Sequence, residues 1–293
     1  PERRAAMAEL TKPMLEQIAV PSGFTFEERS VPGLDGSPDI PLLVYRPPAS
    51  PAPTPVIYLI HGGGMIMGDP RLGLYQALDW SRELNLAVIS VDYRLAPECP
   101  HPGPVEDCYA GLVWTVDNAS ELGIDPDRVI VSGGSAGGGL GASMVLMARD
   151  KGGPSIYAQM LSAQMLDDRN DTASSLQMAG RGIWDHDANQ EGWRALLGSA
   201  AGTPGVSQYA AAARAEDLSG LPPTFIDVGS AETFRDEAVD YAHRIWAAGG
   251  QAELHVWAGG FHGFTGLAPD AAVSRAARGA QFDWLRRLLS AGR

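Results

Sequence analysis

The run Arg128-Val129-Ile130-Val131 leads into Gly133-Gly134-Ser135-Ala136-Gly137, and helix-forming residues, Leu140 to Arg149, follow. A chain built this way passes from a buried strand into a helix through a very sharp turn. Glycine two places before and two after Ser135 removes side chains that would collide there, and the serine takes a strained backbone conformation. The turn exposes the serine oxygen at the top of a sheet and aims the first amides of the next helix toward it. A second glycine cluster, His61-Gly62-Gly63-Gly64, follows another strand-like run, Val56-Ile57-Tyr58-Leu59-Ile60. Each turn strengthens the other, because such motifs carry meaning only in the right structural context.

Apolar, β-branched runs at 24–31, 40–46, 56–60, 87–92, 129–133, 157–163, 224–229 and 252–257 predict eight strands. Helical patterns near 72–84, 104–120, 136–151, 234–248 and 271–291 alternate with the later ones. The expected class is α/β: one domain over 1–293, a mostly parallel central sheet, and helices on both faces. No helix separates the first two strands, so they predict an antiparallel edge hairpin. The proline-rich stretch Pro47–Pro55 reads as a loop. Residues 1–22, with Leu10, Met14 and Ile18 at helical spacing and Pro13 interrupting, fall outside the alternation, as do residues 167–215. Both predict a small cap over the carboxyl end of the sheet, where ligands bind in this architecture.

With 293 residues and 45% hydrophobic content, the chain can build a full core. A net charge of −13 argues against nucleic acid and anionic membrane surfaces as partners. Two cysteines, Cys99 and Cys108, make no disulfide framework. Glu9 and Lys12 break any export-signal pattern, and no run approaches the roughly 20 apolar residues of a membrane span. These features predict a cytoplasmic protein. No dinucleotide or phosphate-loop glycine pattern and no metal-ligand spacing is present, so neither cofactor nor metal is expected.

A serine hydroxyl needs a base to become a nucleophile, usually a histidine with a pKa near neutrality. His243 and His255 sit in helical and strand patterns, His186 and His101 in loops without a motif, and His61 opens the glycine loop in a structural position. His262, in Gly259-Gly260-Phe261-His262-Gly263-Phe264 just past the last strand, fits the order serine, acid, histidine. The acid should follow strand 224–229. Asp227 lies mid-strand, and Asp236 and Glu237 open a helix where carboxylates serve as caps. Glu232 falls at the loop tip and is favoured. Asp167 and Asp168 are rivals, with Arg169 as an alternative partner. Gly63, Gly64 and Ala136 are the expected oxyanion donors.

At these residues the chain resembles the bacterial hormone-sensitive-lipase-like esterases, from about residue 40 to 290. The resemblance runs through His61-Gly62-Gly63-Gly64, Val91-Asp92-Tyr93-Arg94-Leu95-Ala96-Pro97-Glu98, Glu106-Asp107-Cys108, Gly133 to Gly138, Arg235-Asp236-Glu237 and His262-Gly263-Phe264. Leu166-Asp167-Asp168-Arg169 resembles the branch containing bacterial heroin esterase. The resemblance implies an α/β-hydrolase fold, Ser135 as nucleophile, His262 as base, a two-part cap and short- to medium-chain carboxylic esters as substrates. It also implies that residues 271–291 can build a homodimer. Two positions depart from the family pattern. Gly134 stands where Asp is usual, and Glu232-Thr233-Phe234 where Asp-Pro-Leu is usual, which leaves the acid the least secure member.

Met65, Met67, Trp184, Phe261 and Phe264 are candidates for an apolar substrate pocket. The first functional expectation is a carboxylesterase working through an acyl-serine. The alternatives are an amide hydrolase on the same triad and a non-catalytic small-molecule receptor on the same fold, as the plant gibberellin receptor resembles this family.

Overall fold

The computed structural model describes residues 2–16, 18–48 and 52–290, without the side chains of Arg3 and Met14. Parts of the expected proline-rich loop and of the 1–22 and 271–291 segments lie outside the described residues. Eight strands form one sheet: β1 (Thr25–Val31), β2 (Ile40–Arg46), β3 (Thr54–Ile60), β4 (Ala87–Val91), β5 (Ile124–Gly134), β6 (Ala158–Ser162), β7 (Thr224–Ala231) and β8 (Ala252–Phe261). Their order is β1-β2-β4-β3-β5-β6-β7-β8. From β4 to β8 all pairings are parallel. Antiparallel pairing occurs where β2 meets β1 and β4, so the expected hairpin is present and β1 forms the edge.

The helices are α1 (Glu2–Glu16), α2 (Leu74–Leu84), α3 (Gly103–Asp117), α4 (Ala119–Leu122), α5 (Ala136–Lys151), α6 (Ala173–Gln177), α7 (His186–Leu197), α8 (Arg235–Ala247), α9 (Phe264–Leu267) and α10 (Ala272–Ser290). Strand periodicity sorts the core into two layers. Val56, Tyr58, Val129, Val131 and Ile226 pack toward α3, α5 and α8. Ile57, Leu59, Ile130, Met160 and Phe225 pack toward α2 and α10. Helix α5 is buried along almost its whole length. Its start lies so close to β3 that a Cβ on Gly137 would come within 2.0 Å of the Ile60 carbonyl oxygen.

Pro13 does not interrupt α1, which runs on to Glu16. Proline at that position, in the last turn of the helix, forgoes one backbone bond to the carbonyl of the exposed Glu9. Helix α1 is fastened from its other end: Arg4 donates to the Ile66 and Ala96 carbonyls at 2.5 and 2.8 Å and pairs with Glu98. Among the described residues, no helix is long and apolar enough to cross a membrane.

Candidate active site

Ser135 sits between β5 and α5 with φ 56° and ψ −125°, a conformation that costs a non-glycine residue about 1–3 kcal/mol. Neighbouring bonds hold the strain. Its N–H donates to the Ser162 carbonyl at 2.9 Å, and its own carbonyl accepts from Met165 and Gly139. A Cβ on Gly133 would strike the Gly137 carbonyl at 2.4 Å, so the expected glycine requirement is physical. Gly134 is different. A Cβ there would meet only the Ser162 carbonyl oxygen, at 3.7 Å.

His262 follows β8 and points both ring nitrogens at candidate partners. Nε2 lies 3.0 Å from Ser135 Oγ, and Nδ1 lies 2.7 Å from Glu232 Oε2. A nitrogen facing a carboxylate carries the proton, which leaves Nε2 free to accept one from the serine. Glu232 is buried, and its second oxygen accepts the Phe234 N–H at 2.7 Å. That bond fixes the carboxylate plane. The Phe234 ring meets the imidazole edge-on at 5.4 Å.

The other carboxylates considered for the acid have different partners. Asp167 pairs with Arg169, and Asp168 with Arg214. Asp236 accepts the Ser174 N–H near the start of α6. Glu237 is buried and accepts the Leu166 N–H at 2.8 Å. Burial pushes its carboxyl well up, with Asp167 and Glu232 adding to the effect.

The glycine loop is held by the residues after β4. Tyr93 stacks on His61 at 4.2 Å and donates to its carbonyl at 2.9 Å. The Ala96 N–H donates to the Met65 carbonyl. Arg94 grips the buried Asp107 through two guanidinium bonds and its own backbone N–H. His61 is wholly enclosed, and burial lowers its pKa to about 4. It is therefore neutral and donates from Nδ1 to the Gly62 carbonyl. Gly63 and Gly64 have φ of 121° and 62°, and among the described residues their N–H groups donate to no protein acceptor. Ala136 opens α5, where amides have no intrahelical acceptor.

A cavity of about 470 Å³ opens above Ser135. Of the expected pocket residues, Met67, Trp184, Phe261 and Phe264 line it. Met65 does not. Its φ of 62° places the residue in the core beneath the loop, where it has no exposure. Two further walls lie outside the pocket candidates, one of them on the segment 1–22 expected as a cap. Met7 and Leu10 of α1 close one side, and Tyr75, Gln76 and Trp80 of α2 another. Trp184 is pinned by a bond from its Nε1 to Asn189 and by Thr233 on its carbonyl, and the outer atoms of its indole six-membered ring lie against Gly64.

The floor beyond Ser135 contains a further carboxylate. Asp227 shares a row of paired positions with Gly134 and Ser162 across β5, β6 and β7. Its Oδ2 accepts from Trp257 Nε1 at 3.2 Å and Gln281 Nε2 at 3.0 Å.

A family profile for the α/β-hydrolase fold matches residues 56–266. Carboxylesterase NlhH of Mycobacterium tuberculosis is 35% identical over 292 residues, which cover 97% of this chain and 90% of that protein. The structure of a bacterial heroin esterase is similar with a TM-score of 0.94 and 41% identity, over 98% of this chain and 90% of that one. A hyperthermophilic esterase from the archaeon Pyrobaculum calidifontis is similar with a TM-score of 0.88 and 29% identity, over 98% and 92%. With its sheet order, its turn at Ser135 and these relatives, the chain belongs to the α/β-hydrolase family.

Proposed function

We propose that this protein is a carboxylesterase that hydrolyses short- to medium-chain carboxylic esters through an acyl-serine. The observation that carries this reading is the line Ser135 Oγ, His262, Glu232 at 3.0 and 2.7 Å on the floor of the cavity. Ser135 Oγ attacks the ester carbonyl carbon while His262 Nε2 takes its proton. The N–H groups of Gly63, Gly64 and Ala136 receive the oxyanion. Glu232 holds the imidazole in the donating tautomer and stabilises its charged form. The carbon–oxygen bond then breaks, and His262 passes the proton to the leaving alcohol. Water, deprotonated by His262, attacks the acyl-serine, which releases the acid and returns the proton to Ser135. The reaction uses side chains and amides throughout and needs no cofactor.

The proposal extends to the cap. Helix α1 and the 167–215 segment supply Met7, Leu10, Ile183 and Trp184 to the cavity wall, which supports their role as a cover. A homodimer would use α10 and the free edge of β8, where Val256 is exposed; light scattering tests it. Two free thiols, Cys99 and Cys108, favour a cytoplasmic setting.

Hydrolysis of p-nitrophenyl acetate, butyrate and decanoate by the parent and Ser135→Ala proteins tests the reading. Fast release from the shorter esters that vanishes in Ser135→Ala is expected. No Ser135-dependent release from any ester would overturn it, and p-nitroanilide substrates would then test amide hydrolysis.

A further inference from the structure

Asp227 is 3% exposed, and its Oδ1 is buried with no hydrogen-bond partner among the described residues. Trp257 Nε1 and Gln281 Nε2 both donate to Oδ2. No lysine, arginine or histidine forms an ion pair with it among those residues; His255, opposite it on β8, acts on it only at longer range. The His255 ring nitrogen itself pairs with Glu253. A buried carboxylate without a counter-charge is costly, and proteins normally pair it or give it to a ligand.

The carboxylate borders the cavity, with Oδ1 itself closed to solvent. Asp227, Ser162, Gln76 and Gln281 line the part of the cavity between α2 and α10, alongside Tyr75 and Trp80. These polar groups are arranged as a chain. Gln76 donates to Gln281 Oε1, which orients the Gln281 amide so that Nε2 faces Ser162 and Asp227. Asp227 is two strands from Gly134, about 10 Å across the sheet at ordinary strand spacing. The proposed ester cleavage uses none of these side chains as a catalytic group. Burial pushes the Asp227 carboxyl up, while Ser162, Trp257, Gln281 and, more weakly, His255 pull it back.

We infer that this arm selects esters that carry a protonated amine on a flexible chain, received by the Asp227 carboxylate at the cavity wall. Asp227 is then a specificity determinant, and the inference rests on the esterase reading of Ser135. A cation bound there gives the carboxylate the close charge partner it lacks. The aromatic walls of Tyr75 and Trp80 suit the alkyl groups on such an amine.

Two isosteric ester pairs test it: p-nitrophenyl 6-(dimethylamino)hexanoate against 7-methyloctanoate, and 6-(dimethylamino)hexyl butyrate against 7-methyloctyl butyrate. They place the cation on the acyl or the alcohol side. In the parent protein, at least one pair should favour the cation at least about tenfold in kcat/KM. In Asp227→Asn that ratio should fall toward one. A ratio near one in both pairs, or one unchanged in Asp227→Asn, overturns the inference. Because Asp227→Asn can lose its fold, inhibition of the parent provides a second readout. Dimethylhexylammonium should compete with p-nitrophenyl butyrate well below the concentration at which heptanol does, and equal inhibition overturns the inference. If no ester shows Ser135-dependent turnover, the esterase reading fails. Calorimetric titration of the parent with dimethylhexylammonium then decides the Asp227 site: binding supports it, and none overturns it.

Discussion

Replacing Gly64 by alanine sets the loop geometry against the proposed chemistry. The new Cβ would lie 2.1 Å from Trp184 Cη2 and 2.6 Å from Cζ2. Trp184 cannot swing aside freely, since it is 4% exposed and bonded to Asn189 and Thr233. At φ 62° an alanine also carries left-handed strain of about 1–2 kcal/mol. Overpacking adds about 1–3 kcal/mol, so the variant should lose roughly 2–5 kcal/mol of stability. What remains folded must shift the loop, and a displaced oxyanion donor costs about 10²–10³ in kcat. Gly134→Ala provides the contrast. It has no left-handed φ and nothing closer than 3.7 Å, and should gain about 0.4–1 kcal/mol by restricting the unfolded chain. Thermal melts and turnover of p-nitrophenyl butyrate read both effects. A folded Gly64→Ala protein with parental kcat would refute the reasoning.

The remaining predictions follow from other contacts. Glu232→Gln should lower kcat by about 10³–10⁴ with the fold intact by circular dichroism, because the imidazole loses its tautomer lock; a loss under tenfold would return the acid role to Asp167, Asp168 or Asp236. Asp107→Asn strips the buried partner of Arg94, and should cost about 2–4 kcal/mol in urea unfolding through mislocation of the glycine loop. His61 has its folded pKa lowered from 6.5 to about 4, so between those values the unfolded chain binds a proton that the folded chain refuses. Stability should therefore fall as pH drops through that window, by up to a few kcal/mol, and His61→Gln should flatten the slope in pH-dependent unfolding. Deleting residues 1–16 should raise KM for decanoate more than for acetate, since Met7 and Leu10 leave the cavity wall; equal effects on both esters would argue against a cover.

Much of this structure was legible because local chemistry and global fold agree. The continuous apolar runs at 56–60, 87–92 and 129–133 announce strands buried on both faces, and β3, β4 and β5 are where they should be. Ser135, His262 and Glu232 were readable because each follows a strand in a fixed order, so that topology alone brings them together. What escaped depends on packing between distant segments. Met65 seemed a pocket residue by its closeness to the glycine loop, yet one left-handed φ sends it into the core. Tyr75 and Trp80 fall within the expected helix near 72–84, with nothing in the sequence to say that they border the cavity. Asp227 reads as a mid-strand residue, and its unmatched oxygen exists only once α10 brings Gln281 against the sheet.

The most direct test of the account is covalent labelling by diethyl p-nitrophenyl phosphate, followed by peptide mass spectrometry. An activated serine attacks phosphorus, expels p-nitrophenolate and keeps a stable diethylphosphoryl group. One group per chain on Ser135, with activity lost in proportion to labelling and no label in His262→Ala, is the predicted result. Full activity without a label on Ser135, or inactivation with the label on another residue, would contradict it.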